Sequence, residues 1–425
     1  MAAEPKMMAS EEVNQGVLCS LDPSTVSEVK IQPVLLDDFI LNRERKITVG
    51  RHKHKYLAEE YLRNDGRVQF DLNPGLDTFD PRPSDEGLDQ ILQYLLWRGQ
   101  QSQEHDLKKV VNGADAVCWR GNVSKIAYSP YEDNGPGFKF LVDKFEDVLF
   151  LKELETETKA TQMANQSDWE KTCTYWGFKF ETFIFAEKGQ ELETETKAAQ
   201  MANQSDWEKT CTYWGFKFET FIFAEKGQKP TPDEPVSTWE EMGAAFLTTF
   251  EADPDAGEDK LKLFYIAEID GLDSLGKHVE VKTQAYGLYS GNYFQQKAMR
   301  WWVQNTIVGI EDIIVGLRTK KGVIFKLEKV SLRDLNVRCN EWSGKVCLLA
   351  AQHFFNTLRK RFDELVQPGQ ILVLERKPNS RTIRYSVIPK VEILSPEFRE
   401  YFGSQRRATV KRKAENDGLG TDAKK

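Results

Sequence analysis

Three acids and one lysine, placed between positions 268 and 282, carry the clearest chemical signal in this chain. Glu268 and Asp270 stand in KLKLFYIAEIDG (260–271), and Glu280 and Lys282 in KHVEVKT (277–283). Read as a strand, the first segment points Leu261, Leu263, Tyr265, Ala267 and Ile269 one way and both acids the other. At about 3.3 Å per residue their Cα atoms are about 6.5 Å apart, close enough for both carboxylates to reach one cation. In the second segment Val279 and Val281 take the core face, leaving Glu280 and Lys282 together. A hairpin through Leu272 to Gly276 then brings three carboxylates and one ammonium to one sheet surface. Hard oxygen donors suit Mg²⁺ or Mn²⁺ rather than zinc. A lysine two residues beyond a metal carboxylate can orient an attacking water and offset charge on a phosphorane, so the chemistry indicated is metal-assisted hydrolysis of a phosphate ester. Taken alone, such acids more often form a solvated sheet face with cross-strand ion pairs. Phe264 and Ile266, which share the face of Glu268, argue for partial burial.

The elements that must position these residues alternate strand and helix. Leu88, Ile91, Leu92, Leu95 and Leu96 predict a helix over 86–98. A strand pair is expected at 116–128 and 138–151, separated by Asn134-Gly135-Pro136-Gly137. A helix is expected near 238–250, then the acidic loop Glu251 to Asp259 and the two acid-bearing strands. A helix over 292–306 sets Lys297, Arg300 and Gln304 in a polar line able to follow a phosphate backbone, although an exposed helix face is its plainer reading. A hairpin of DIIVGLR and VIFKLEKV turned at Lys320-Lys321-Gly322, a helix over 344–366 and two last strands close the globular part near Phe402. Strands interleaved with helices, without a long linker, favour one α+β unit of mixed β-sheets flanked by helices.

Residues 153–190 recur at 191–228 with 37 of 38 positions identical, only Thr161 and Ala199 differing. Solenoid units diverge and need three or more copies, so this is read as a duplicated segment rather than a repeat fold. In the first copy Ser167 and Glu170 resemble a capping box, and Trp169, Cys173, Trp176, Phe180 and Phe183 form one stripe of a core helix. Glu181 lies at the rim of that stripe, one turn beyond Gly177, and Glu219 is its twin. A site built by one such helix can use only one of them. Glu181 is preferred, because its copy continues directly from the strand ending near Leu151.

The chain has 425 residues, 40% apolar, 29% charged and 11% aromatic, a composition that excludes wholesale disorder. No run approaches the about 20 apolar residues of a membrane helix, and the first residues lack a signal-peptide core, so an intracellular protein without membrane contact is expected. Six scattered cysteines without a C-x-x-C pair indicate reduced thiols. The formal charge of −8 argues against a surface coated in nucleic-acid contacts but permits a local basic channel. Residues 1–30 read as a disordered N-terminus, 31–402 as a single catalytic domain containing the duplication, and 403–425 as a disordered basic tail whose QRRATVKRK suggests nuclear import.

The E-x-K pattern after an acidic strand resembles that of PD-(D/E)xK nucleases. CWRG (118–121), WGFKFE (176–181, again 214–219), EID (268–270), EVKT (280–283) and RWWVQ (300–304) resemble, in order and spacing, the decapping and exoribonuclease (DXO) family over about residues 86–402. The resemblance implies a PD-(D/E)xK-like core and an Mg²⁺- or Mn²⁺-dependent hydrolase of RNA 5′ ends. Such an enzyme acts on incompletely capped, NAD-capped or triphosphorylated RNA, leaves a 5′-monophosphate and often degrades the RNA further from the 5′ end. It implies Glu268, Asp270, Glu280 and the Val281 carbonyl as metal ligands, with Glu181 or Glu219 as the glutamate of GFKFE. Lys282 and Gln304 would position nucleophile and phosphate, and Glu86, Trp119, Arg120 and Gly121 would bind substrate. An N-terminal pocket arginine of the relatives has no unique counterpart in Arg51 to Lys55. The nucleus, with the cytoplasm beside it, is the expected location. The other readings are a non-catalytic partner that stabilises a separate 5′-to-3′ exoribonuclease, and a DNA nuclease of the wider group.

Overall fold

Seventeen strands organise the described residues. They are β1 (Gln15–Ser20), β2 (Ile31–Leu41), β3 (Ile47–Val49), β4 (Lys55–Leu57), β5 (Arg67–Asp71), β6 (Ala116–Trp119), β7 (Phe138–Phe145), β8 (Val148–Leu154), β9 (Phe223–Glu225), β10 (Glu241–Phe250), β11 (Leu261–Glu268), β12 (Gly271–Leu272), β13 (His278–Ala285), β14 (Asp312–Arg318), β15 (Val323–Ser331), β16 (Gln370–Arg376) and β17 (Thr382–Pro389). The helices are α1 (Asp89–Ser102), α2 (Leu107–Val110), α3 (Arg120–Tyr128), α4 (Asp206–Ile222), α5 (Gly291–Thr306), α6 (Leu332–Arg338) and α7 (Gly344–Leu365). The computed structural model describes residues 15–21, 28–80, 87–132, 135, 137–154, 206–253, 255, 257–285, 287–289 and 291–403.

Two mixed sheets result, as the sequence leads one to expect. The larger runs β1-β17-β16-β7-β8-β6-β11-β10-β2-β3, with β6 parallel to β8 and β11 and its other pairs antiparallel. The smaller runs β5-β15-β14-β13-β12-β4-β9, with parallel pairing at β13–β14 and β12–β4. One core lies between the large sheet and α3, α5 and α7, taking Leu263, Tyr265, Val123, Trp301 and Phe355, and it continues over Ile313 and Val315 of β14. A second packs α1, α2 and the terminal helical stretch 396–403 on the opposite face, with Ile91, Leu95, Phe264, Ile266 and Phe398. The third seats α4 on the small sheet through Trp214, Phe218, Ile222, Val281 and Ile314. Alternate residues of β11 serve the first two cores, so this strand is buried on both faces, as a central strand must be.

Several elements differ from the sequence expectation. The strand expected over 116–128 stops at Trp119 and turns into α3, because Val123, Ile126 and Ala127 gain a helix stripe facing α7. The segment 138–151 is a tight hairpin of β7 and β8, turned at Glu146-Asp147, both at positive φ. The helix expected near 238–250 is β10, laddered between β2 and β11. Its Ala, Met and Leu residues favour helix, yet burial between two strands overrides propensity. Gly243 is required there, since a Cβ would stand 2.4 Å from the Phe39 ring. The helices around α1, α5 and α7, the β14–β15 hairpin turned at Gly322 and the final β16–β17 pair fall where the periodicity places them.

Candidate active site

The two acid-bearing strands do not form one hairpin. Ile269 N–H still donates to Met242 O (2.9 Å), holding the end of β11 in the large sheet. The chain then steps across, and Gly271 pairs with Val279 in the small sheet. The step needs glycine at 271, because a Cβ would lie 2.3 Å from the Phe223 ring of β9. The hairpin is therefore β12–β13, its turn fixed by Asp273 Oδ1, which accepts from Leu275 N (2.9 Å) and Lys277 N (2.7 Å). Glu268 thus belongs to the large sheet, Glu280 to the small one, and Asp270 to the crossing between them, where its Oδ2 accepts from Val281 N–H at 2.7 Å. The common face inferred for Glu268 and Asp270 is corrected to a seam between sheets.

Glu219 on α4 brings a fourth carboxylate. Burial and then the charges of Asp270 and Glu268 raise its pKa well above the carboxylate range, against the pull of Lys55 and Lys282. The same crowding, burial first and Glu280 second, pushes Asp270 up to about 7. Glu280 is drawn the other way. Burial would raise it, but Lys282 and Arg120 outweigh that and hold it below its ordinary value. Lys282 Nζ lies 2.5 Å from Glu280 Oε1 and Arg120 Nη1 3.6 Å from Oε2, with all three side chains at most 3% exposed. Burial would also strip Lys282 of its proton, yet Glu280 and Asp270 keep the ammonium above its usual range.

Glu219 is the glutamate of the duplicated motif that the described residues bring to this cluster; Glu181 lies outside the described residues, as do Glu86 and the first-copy stripe and capping box. The second copy is held at the seam because α4 leads straight into β9, which pairs with β4, while Tyr213 OH donates to Pro74 O and Lys217 to Pro232 O. Its stripe residues Trp214 and Phe218 are buried as expected of their twins.

Trp119 ends β6 with its ring in the second core and its Nε1 donating to Gly87 O (2.8 Å), and Arg120 and Gly121 open α3, both buried. Arg120 Nε and Nη1 find no hydrogen-bond partner among the described residues, so this buried guanidinium retains donors for an anion. Gln304, buried on α5, has no bond to the acids, and its Oε1 is unsatisfied among the described residues. The polar line proposed for α5 is not an exposed phosphate track. Arg300 is buried against Glu132 Oε1 (2.7 Å), and Lys297 donates to Thr283 O and Gln284 Oε1.

Sequence reasoning missed two features. Lys55 is close enough to Glu219 to lower its titration, and Asp38 joins the two sheets beside the seam. Asp38 on β2 holds His278 Nε2 of β13 (2.6 Å) and Arg51 Nε (2.6 Å), while Arg51 Nη1 donates to Gly276 O in the hairpin turn (2.9 Å). The only advance signal was the dense charge of 51–55.

Four carboxylates facing two lysines and an arginine are donors of the kind and number that a hard divalent cation takes, and the raised Glu219 and Asp270 mark charge still to be neutralised. Their spacing is looser than their chemistry. Among the described residues no three acids are already gathered about one point, Glu280 being turned toward Lys282 and Arg120.

The family model described as RAI1-like PD-(D/E)XK nuclease matches residues 31–197 and 189–399. Its two matches meet where the two copies of the repeated segment meet. The decapping nuclease dom-3 of Caenorhabditis elegans is 30% identical over 312 residues, covering 73% of this chain and 68% of the relative. The decapping and exoribonuclease protein Rai1 of Drosophila melanogaster is 28% identical over 352 residues, 78% of this chain and 82% of that protein. Candida albicans Rai1, solved with pU5 and Mn²⁺, shares the fold with a TM-score of 0.65 at 17% identity, over 93% of this chain and all of the other.

Proposed function

The chain belongs to the RAI1-like PD-(D/E)XK nuclease family, and on that premise we propose that it is a divalent-metal-dependent hydrolase of RNA 5′ ends. It removes NAD or triphosphate ends to leave 5′-monophosphate RNA, with 5′-to-3′ exoribonuclease activity following on the same site. The observation that carries this reading is the seam of Glu219, Glu268, Asp270 and Glu280 around a buried, charged Lys282. Relatives are named decapping nucleases, and Scheffersomyces stipitis Rai1 has been solved with (3′-NADP)⁺ and calcium.

Glu219, Glu268, Asp270, Glu280 and the Val281 carbonyl would hold the ion, which would supply Lewis-acid polarisation of the scissile phosphoryl oxygen and neutralise these acids. The chain's own groups do the rest. Lys282, kept protonated by Glu280, offsets negative charge that grows on the phosphoryl oxygens in the transition state. Arg120, whose Nη1 faces Glu280 and whose Nε has no hydrogen-bond partner among the described residues, presents the guanidinium to a phosphate oxygen from the start of α3. Asp270 is oriented by the Val281 N–H, which donates to its Oδ2. Gln304 has a carbonyl oxygen available to position water.

The test is to incubate the purified protein and Glu268→Ala with NAD-capped, triphosphorylated and monophosphorylated RNA plus Mg²⁺ or Mn²⁺. The wild type is expected to release NAD or phosphate-containing ends, and the variant to lose at least about 100-fold in rate, as loss of a metal ligand does. Equal behaviour of the two proteins would sink the catalytic reading and favour a non-catalytic partner of a separate exoribonuclease. A nuclear location is proposed alongside, on the basic residues between Arg406 and Lys413.

A further inference from the structure

A concavity of about 700 Å³ lies several strands from the acids, where β1, β17, β16 and β7 lie side by side. Lys139, Lys377 and Arg384 line it with one acid, Glu375. Among the described residues none of the three cations forms an ion pair. That is unusual company in a protein of charge −8, where surface cations have acids to choose from. Glu375 faces Lys139 on one side and Arg384 on the other, so the charges form a ladder across three strands.

The strand register ties this ladder to the seam. Lys139 stands opposite Leu154 of β8. Phe150 pairs with Val117 and Trp119 with Ile266, both in parallel, so counting along β8, β6 and β11 puts Leu154 level with Glu268. The alternation also matches. Phe264, Ile266, Trp119, Phe150, Leu141 and Val373 all face the second core, and Glu268, Lys139 and Glu375 continue that face at the strand ends. The cations and the catalytic acid therefore lie at the same end and on the same face of one sheet. At about 4.8 Å per strand, Lys139 is about 14 Å and Arg384 about 24 Å from Glu268 across the sheet.

We propose that this ladder of Lys139, Lys377 and Arg384 is a track for the phosphates of single-stranded RNA several nucleotides beyond the 5′ end held at the seam. The inference rests on the hydrolase reading above. It adds that the protein grips the body of its substrate through unpaired cations that have no part in the reaction. The class of ligand follows from the chemistry: a polyanion long enough to reach from the seam, held without base readout by cations that release counterions. Tyr385, also at this wall, offers a ring edge but no stacking platform, since Arg361 already covers its face.

The experiment compares the full-length wild type with Lys139→Glu/Arg384→Glu, and with Arg384→Lys as the conservative control. Binding is read by fluorescence anisotropy in Ca²⁺ across a salt series, and cleavage in Mn²⁺. The substrates are a 5′-monophosphorylated dinucleotide and an RNA of about 16 nucleotides, the upper site size of single-strand binders. The double variant is expected to bind the long RNA about tenfold more weakly, with the salt slope shallower by about 1.4 for two lost phosphate contacts. Dinucleotide cleavage should match wild type, and Arg384→Lys should restore the slope. An unchanged long-RNA affinity and slope would overturn the track. So would an equal loss on the dinucleotide, which would mean a general defect. Absence of cleavage by the wild type would fail the hydrolase reading instead, while the anisotropy comparison would still decide the track.

Discussion

Glu219 and Asp270 are acids that the fold makes harder to ionise, and their energetics invert the usual behaviour of carboxylates. In the metal-free protein both bind protons more tightly than the unfolded chain does, Asp270 with a pKa of about 7. Between the ordinary carboxylate range, about 4, and pH 7, the folded state therefore holds protons that the unfolded state has released, and stability falls as pH rises through that window. A series of melting curves should show a lower Tm at pH 8 than at pH 6, with the slope flattened in Asp270→Asn. Mn²⁺ should raise Tm more at pH 8, because ligands must lose their protons to bind. The two glutamates of the duplicated segment separate by the same logic. Glu219→Gln should reduce RNA 5′-end cleavage by about 100-fold, while Glu181→Gln should leave it within about twofold, a comparison that steady-state rates settle directly. Sequence spacing named both residues as twins and preferred Glu181 from the strand that precedes its helix; it could not see that β9 anchors the second copy's helix from its C-terminal end.

At the scale of elements, the step from β11 to β12 is what sequence reasoning could not supply. Two acid-bearing strands separated by five residues look like a hairpin, and only tertiary packing, Gly271 against Phe223 and Ile269 against Met242, assigns them to different sheets. The residue types and their alternation were legible because period-two patterning is local; the sheet to which each strand belongs is not. β10 shows the same limit, its helix-favouring residues overruled by two flanking strands. Because donors come from both sheets, elements that hold the sheets together should set metal affinity. Asp38, 6% exposed and bonded to His278 and Arg51, is such a link. Asp38→Ala leaves a buried imidazole without its acceptor and should cost about 3 kcal/mol, with Mn²⁺ affinity down about tenfold. Calorimetric titration beside thermal melting tests the coupling; a lowered Tm with unchanged affinity would limit Asp38 to stability.

At the scale of the whole molecule, the α+β organisation followed from the interleaving of elements, and the cores confirm that both faces of the large sheet are covered. The duplication is the one global feature whose consequence had to be read from the structure. Deleting 153–190 or 191–228 yields the same chain save for Ala or Thr at one position, so a single shortened protein answers the question. The connection from Leu154 to Asp206 would shrink about fourfold, and the protein is expected to keep both its melting temperature and its cleavage activity, since the remaining copy supplies the same helix and glutamate. Melting and rate measurements on that protein check both.

The crossing at residues 268–271 also has a mechanical meaning. With Glu268 rooted in the large sheet and Glu280 in the small one, an ion seated between them would act as a rivet through two plates. Occupancy would then be felt as resistance to shear by amides in both sheets at once, and loss of the ion would let them breathe independently.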